Sequence, residues 1–232
     1  THRMLGELQA QGFVEQAGSG REYRIGPAVV RLASLREALV TSRDVAQNVL
    51  SRLSQVTGET AHLSQVDGNH LSTFAHSHSS RHGTRVIIDD TEFLPFHATA
   101  SGLAVLAFSQ ATFTDRVLNG SLDAFTGQTI QNVAEIRAVI SRTRKDGFVT
   151  ATGGFEADVH GTAVPVFDGS AACIGALAVA TPVTRVTRKL QDDITQALIA
   201  SANEIIDLSG GFVPDNLKEI WAHHTVPVQQ KR

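Results

Sequence analysis

Ten histidines are the residues to test first for chemistry in this chain of 232. His76 and His78 would share one face of a strand, with His82 close behind, a metal-like spacing. No carboxylate or thiolate stands beside them; Asp89 and Asp90 are the nearest acids, so the stretch reads as a polar loop. His223-His224 near the C-terminus is a weaker pair of the same kind. His62, His97 and His160 fall at the edges of predicted strands or helices and are better pocket candidates, beside the plainer reading of a hydrogen-bonded core histidine. Cys173 is the single cysteine and has no histidine near it in the chain. It can make neither an internal disulfide nor a multi-thiolate metal centre, and a buried, inert thiol fits better than a nucleophile. No Gly-Lys-Ser/Thr phosphate loop accompanies the glycine pairs Gly153-Gly154 and Gly210-Gly211, and no two carboxylates stand at catalytic spacing. The residues offer no catalytic constellation, and they imply no cofactor and no metal.

Pro95-Phe96-His97-Ala98-Thr99-Ala100-Ser101-Gly102-Leu103-Ala104 is different in kind. Small residues opening a helix leave backbone N–H groups free to meet an anion, and the helix dipole favours that charge. Close packing of helix on sheet explains the same composition. Both readings stay open from the residues alone.

The elements that must hold such a site are legible in outline. A hydrophobic share of 42% with 19% charged residues excludes a globally disordered chain. The most apolar run, Ala171 to Ala180, is half the roughly 20 residues a membrane helix needs, so it reads as a buried strand. Nothing resembling a secretory signal follows Thr1, and a cytoplasmic protein with no membrane partner is expected. The formal net charge of −3 hides an asymmetry: residues 1–36 carry a net +2, through Arg3, Arg21, Arg24, Arg31 and Arg36, and the rest carries −5. A basic arm on an acidic body points to a polyanion as the arm's partner.

Met4, Leu5 and Leu8 lie at helical spacing, and Gly12 stops that helix. Two short β-like runs follow, Phe13–Glu15 and Glu22–Ile25, around the glycine-rich tip Gln16 to Arg21. Helix and ribbon together form the back half of a winged helix; its front half has no residues here, so the chain reads as starting inside a domain. Ala28 to Leu39 reads as a connecting helix with Val29, Leu32, Leu35 and Leu39 on one stripe. A further helix, capped at Thr41/Ser42, carries Val45, Val49, Leu53 and Val56.

The body beyond it begins with strands Thr60–Val66 and Leu71–Ser77 around the hairpin signal Asp67-Gly68. Arg85–Ile88 is expected to be a strand and His97 to Phe108 a helix. Asn132 and Glu135 open a helix that Gly147 stops. Strands Phe148–Thr152, Gly161–Phe167 and Ala172–Ala180 come next. A long helix from Thr187 to Leu208 and a short one near Leu217–Trp221 complete the pattern. Hairpin-joined strands with flanking helices predict an α+β fold with an antiparallel sheet.

In order and spacing, these pieces resemble the IclR family of bacterial transcription regulators. The likeness runs from Thr1 to about Gly211. It includes Thr1-His2-Arg3-Met4-Leu5, Gly12-Phe13-Val14-Glu15 and Tyr23-Arg24-Ile25-Gly26-Pro27. It continues through His62-Leu63-Ser64, the Leu94–Gly102 stretch, Arg144-Lys145-Asp146-Gly147-Phe148, Ala163–Asp168 and Thr181-Pro182-Val183-Thr184-Arg185. The resemblance implies the C-terminal half of a winged helix-turn-helix DNA-binding domain over 1–26 and a linker helix over 27–41. It further implies a GAF-like effector-binding domain over 42–211, leaving a tail over 212–232. The implied partners are double-stranded operator DNA, a small organic-acid or aromatic effector, and further copies of the chain as a homodimer or tetramer.

On that reading Thr1, His2 and Arg3 approach the major groove and Arg21 the phosphates beside the wing. The effector would meet the helix start at Ala100, Ser101 and Gly102, with His62 and His160 as polar anchors and Val86, Leu94 and Val159 as apolar walls. The family's signature stretch, the residue after the helix start and the remaining pocket positions (Ala151, Gly161, Ala178 and Ala180) depart from the family pattern. Ala151 stands for a usual acid, Gly154 for a usual glutamate, and Gly161 for a usual cysteine. Ala178 and Ala180 stand where small-carboxylate binders carry serines, and Leu103 replaces a common lysine. A small, apolar lining satisfies a bare carboxylate poorly, so the expected effector is larger or more apolar than glyoxylate or pyruvate. The alternative is a GAF-like metabolite-binding protein or enzyme whose N-terminal segment does not bind DNA.

Overall fold

The computed structural model describes residues 2–17, 22–39, 42–89 and 91–225. They fall into two compact units, Thr1–Asp44 and Val45–Arg232. The smaller unit opens with helix α1 (His2–Ala10), closed where Gly12 turns left-handed and Phe13 N–H reaches back to Leu8 O at 2.9 Å. Strands β1 (Val14–Gln16) and β2 (Tyr23–Ile25) pair antiparallel, Val14 opposite Ile25, and an exposed Glu15–Arg24 ion pair spans the ribbon. Pro27 then supplies the preset first residue of helix α2 (Pro27–Leu39).

Helix α3 (Ser42–Thr57) leads into the larger unit. Its five strands are β3 (Thr60–Asp67), β4 (His70–Ser77), β5 (Val149–Thr152), β6 (Val159–Phe167) and β7 (Cys173–Pro182). They form one sheet in the order β4-β3-β7-β6-β5, every neighbouring pair antiparallel. Helices α4 (Ala100–Phe108), α5 (Ala111–Leu118) and α6 (Val133–Asp146) intervene between β4 and β5. Helices α7 (Arg188–Leu208) and α8 (Asp215–Thr225) follow β7.

Alternation along the strands gives the sheet two buried faces. Leu63, Val164, Val166, Leu177 and Val179 pack with α3, α7 and α8 around Leu50, Leu198 and Trp221. Ala163, Ala176 and Ala178 pack on the other side with Leu103, Leu106 and Ile136 of α4 and α6. The first face is lined by large branched residues, the second by alanines, so α4 sits close to the sheet. At Gly102 a Cβ would lie 2.3 Å from the Phe96 Cα, so only glycine allows the 95–99 turn to fold against the helix it feeds.

The structure departs from the expected pattern at four points. Arg85–Ile88 is not a strand: Val86 is held by the Thr60 hydroxyl, which donates to its carbonyl at 2.7 Å, rather than by a backbone ladder. The helix expected from His97 begins at Ala100, because Thr99 takes the N-cap: its Oγ1 accepts from Gly102 N–H at 3.0 Å and donates to Pro95 O at 2.9 Å. Helix α5 was not anticipated; Thr114, inside it, donates to Leu106 O and is buried. Val56, read in one helical repeat with Val45, Val49 and Leu53, is exposed at the last turn of α3. No described helix is long and apolar enough to cross a membrane.

Candidate functional site

Strand register brings the small residues together. Across the sheet Thr60 stands opposite Ala180, Ala180 opposite Gly161, and Gly161 opposite Ala151; one row inward His62 stands opposite Ala178. These short side chains leave a trough, and the first turn of α4 lies over it. The resulting cavity holds about 530 Å³ of space free of protein atoms, counting the open solvent at its mouth.

His62, Val86, Leu94, Ala100, Ser101, Ala151, Val159, Gly161, Ala178 and Ala180 line this cavity, ten of the twelve positions picked out from the sequence. Gly102 and His160 do not. Gly102 faces the Phe96 backbone and serves packing. His160 lies on β6 between Val159 and Gly161, both of which line the cavity, so its side chain leaves by the opposite face. There it meets Thr152 Oγ1 at 2.7 Å through Nδ1 and Gln191 Nε2 at 3.0 Å through Nε2. Both ring nitrogens are satisfied, and burial lowers its pKa.

His62 is less complete. It is 7% exposed, its Nε2 lies 3.2 Å from Ser101 Oγ, and its buried Nδ1 has no hydrogen-bond partner. Burial, reinforced by His76, pushes its pKa down from 6.5 to about 4, so the imidazole is neutral at pH 7. Above it, the Ala100 and Ser101 amides open α4, where no intrahelical acceptor exists for them. A neutral histidine, a hydroxyl and two amide donors at a helix N-terminus make an anchor for one polar or anionic group.

Sequence reasoning missed Ile88, Ala98, Thr99, Gly154, Phe155 and Glu156, which complete the lining. The last three lie in the loop between β5 and β6. The available signal was Phe155 itself, an aromatic residue set among glycines with no periodic partner. Thr129 Oγ1 donates to Gly154 O at 2.6 Å and Asp158 O accepts from Val183 N–H at 2.9 Å, so both ends of the loop are fastened. Glu59 was missed as well. Its buried carboxylate takes two hydrogen bonds from Arg185, each 2.7 Å, and clamps the start of β3 beside the end of β7.

The other candidates lie elsewhere. Thr1 and Arg21 fall outside the described residues; His2 opens α1, and Arg3 is exposed on it. His97 is a core histidine whose Nε2 lies 2.9 Å from Asp123 O. The His76 and His78 rings sit 4.8 Å apart, and among the described residues no three His, Cys, Asp or Glu side chains are grouped to hold a metal. Burial pushes the Cys173 thiol up to about 12, which leaves it protonated and unreactive at neutral pH.

Comparison with known proteins places this architecture. Residues 38–207 match the family model "Bacterial transcriptional regulator IclR C-terminal". The HTH-type transcriptional regulator XynR of Escherichia coli is 28% identical over 196 residues, 80% of this chain and 73% of the relative. The transcriptional repressor IclR of the same organism is 26% identical over 222 residues, 91% of this chain and 78% of the relative. Among solved structures, an IclR transcriptional regulator from Silicibacter sp. TM1040 is 47% identical, with a TM-score of 0.85 over 93% of this chain and 84% of that one. An IclR homolog from Microbacterium hydrocarbonoxydans complexed with 4-hydroxybenzoate shares the fold at 23% identity and a TM-score of 0.63, over 88% of this chain and 84% of that one. The antiparallel sheet with helices on both faces is the GAF-like effector-domain architecture of those proteins, and the curated relatives are regulators of transcription, not enzymes. This chain belongs to the IclR family of bacterial transcriptional regulators.

Proposed function

We propose that the chain is a ligand-responsive, DNA-binding regulator of the cytoplasm that works as a homodimer, with pairs of dimers joining into tetramers. Residues 1–26 contribute the recognition helix and wing, 27–41 the linker, and 42–211 the effector domain, with 212–232 as a tail. The DNA contacts are Thr1, His2 and Arg3 at the groove and Arg21 at phosphate. The effector is a small organic acid, larger or more apolar than glyoxylate, seated in the cavity over Ala178, Ala180 and Gly161.

One observation carries this reading: a mostly apolar cavity with its donors gathered at the first turn of α4, beside the unpartnered His62 Nδ1. A two- or three-carbon oxoacid meets alanines where serines would donate, and loses about 1.5–3 kcal/mol for each such bond to a charged group. A ring recovers that loss by burying apolar area, at about 25 cal/mol per Å². The ligand-bound relative, an IclR homolog that holds 4-hydroxybenzoate, makes aromatic monoacids the first compounds to try.

Thermal unfolding with glyoxylate, pyruvate, benzoate and 4-hydroxybenzoate tests the reading. An aromatic acid should raise the melting temperature at concentrations where the oxoacids, binding no better than about millimolar, do nothing. Ala180→Phe, which fills the trough, should abolish the shift. A shift that survives Ala180→Phe, or micromolar binding of glyoxylate, overturns the assignment.

A further inference from the structure

Glu156 stands in the cavity wall with an unanswered carboxylate. Among the described residues this exposed carboxylate has no hydrogen-bond or ion-pair partner, and no lysine or arginine lines the cavity. Partial desolvation at the cavity wall, with Asp158 and then Glu92 adding like charge, raises its pKa from the ordinary carboxylate value. The other polar lining groups, His62, Thr99 and Ser101, belong to the α4 end of the site. The cavity wall thus carries polar groups of opposite character on two different elements. One offers donors and the positive end of a helix; the other, on the loop between β5 and β6, offers only an acceptor with negative charge.

The Glu156 loop does not stand alone as a ligand site. The buried His62 Nδ1, without a partner in the same cavity, independently marks a place where a ligand atom completes the structure. We infer that Glu156 reads the far end of the effector, accepting a hydrogen bond from a hydroxyl or ammonium group there and rejecting a second carboxylate. The inference rests on the proposed function, in which the effector's acid group lies at α4. A ligand that presents a donor to Glu156 answers both polar ends of the cavity. A dicarboxylate would place a second anion beside an unpaired one, and the two would repel.

Calorimetric titration of the full chain with 4-hydroxybenzoate, benzoate and terephthalate tests this, since the three differ only at the para position. The wild type should bind 4-hydroxybenzoate more tightly than terephthalate by about tenfold or more. In Glu156→Gln that preference should shrink severalfold, mostly because terephthalate binds better, while the ligand-free melting temperature stays unchanged. Equal binding of the two acids by the wild type overturns the inference and leaves the acid-binding cavity standing. An unaltered preference in Glu156→Gln does the same. If none of the three acids binds the wild type, the aromatic-acid reading fails and the inference falls with it.

Discussion

His62 lies in the cavity as a neutral base because the fold buries it and gives it only a serine to lean on. Its pKa near 4 has a consequence for stability. The unfolded chain takes up the proton near pH 6.5 and the folded chain resists until about 4, so the unfolded state binds more protons between those values. The neutral histidine's contribution is fully present above pH 6.5 and is lost as the pH falls toward 4. At about 1.36 kcal/mol per pH unit, this group should remove about 2 kcal/mol between pH 6.5 and 5. Urea unfolding of the wild type and His62→Gln at pH 7 and 5 measures it: the variant should lose less stability on acidification. Parallel losses would mean His62 titrates as in the unfolded chain. The neighbouring glycine at 161 shows a limit on reading pocket size from residue size. A Cβ there would lie 3.0 Å from the Ala100 Cβ, so α4 occupies part of the space a cysteine side chain would need.

Helix α2 shows an element without its counterpart. Val29, Val30, Leu32 and Leu35 are all exposed, Val30 at 67% and Leu35 at 59%, on a helix of 13 residues. A contiguous apolar stripe of this kind usually marks an association surface, and a second copy in two-fold symmetry presents the same stripe in return. Replacing Leu32 and Leu35 together by glutamate should shift the protein from dimer to monomer in sedimentation velocity, while the circular dichroism of the folded chain stays the same. A dimer that persists would place the interface elsewhere. The stripe was legible in the sequence because its spacing is helical, as were α3 and α7, whose apolar positions repeat at the same steps. The hairpin at Asp67-Gly68 was legible because its turn needs particular residues. Helix α5 was not, since its threonines carry little helical propensity and its reasons to fold there are tertiary: Thr114 bonds Leu106 O and Leu118 is buried in the core beside α4 and α6. Arg85–Ile88 alternates like a strand yet has no ladder, because alternation reports burial on one side and not a backbone partner. The pocket floor could be anticipated through resemblance, but parity along β6 decided which residue faced it, and one step separates Gly161 from His160. The mouth was illegible because residues 153–158 follow no period.

At the scale of the whole chain, charge divides the work proposed for the two units. The basic residues 1–36, net +2, suit a polyanion; the remainder, net −5, repels one. If Arg3 reads a base edge, Arg3→Ala should weaken binding to the preferred duplex, selected from a random pool, by about 1–3 kcal/mol and relax its specificity. Regulation requires more than two binding sites: the effector must favour one state of the DNA-binding unit over another. Linkage makes that requirement measurable from either side. Whatever factor the effector imposes on duplex affinity, the duplex must impose on effector affinity, typically about 5- to 150-fold. The experiment uses the tightest-binding aromatic acid, titrated into the chain with and without saturating duplex at fixed salt, beside a duplex titration with and without the acid. The two ratios should agree. Ala180→Phe should bring both to one while leaving duplex affinity without effector unchanged, because it fills the cavity and touches no DNA contact. Arg3→Ala should weaken the duplex in both arms and leave effector affinity in its absence intact. Ratios that both equal one in the wild type would separate the functions, leaving a DNA-binding protein whose cavity does not regulate it.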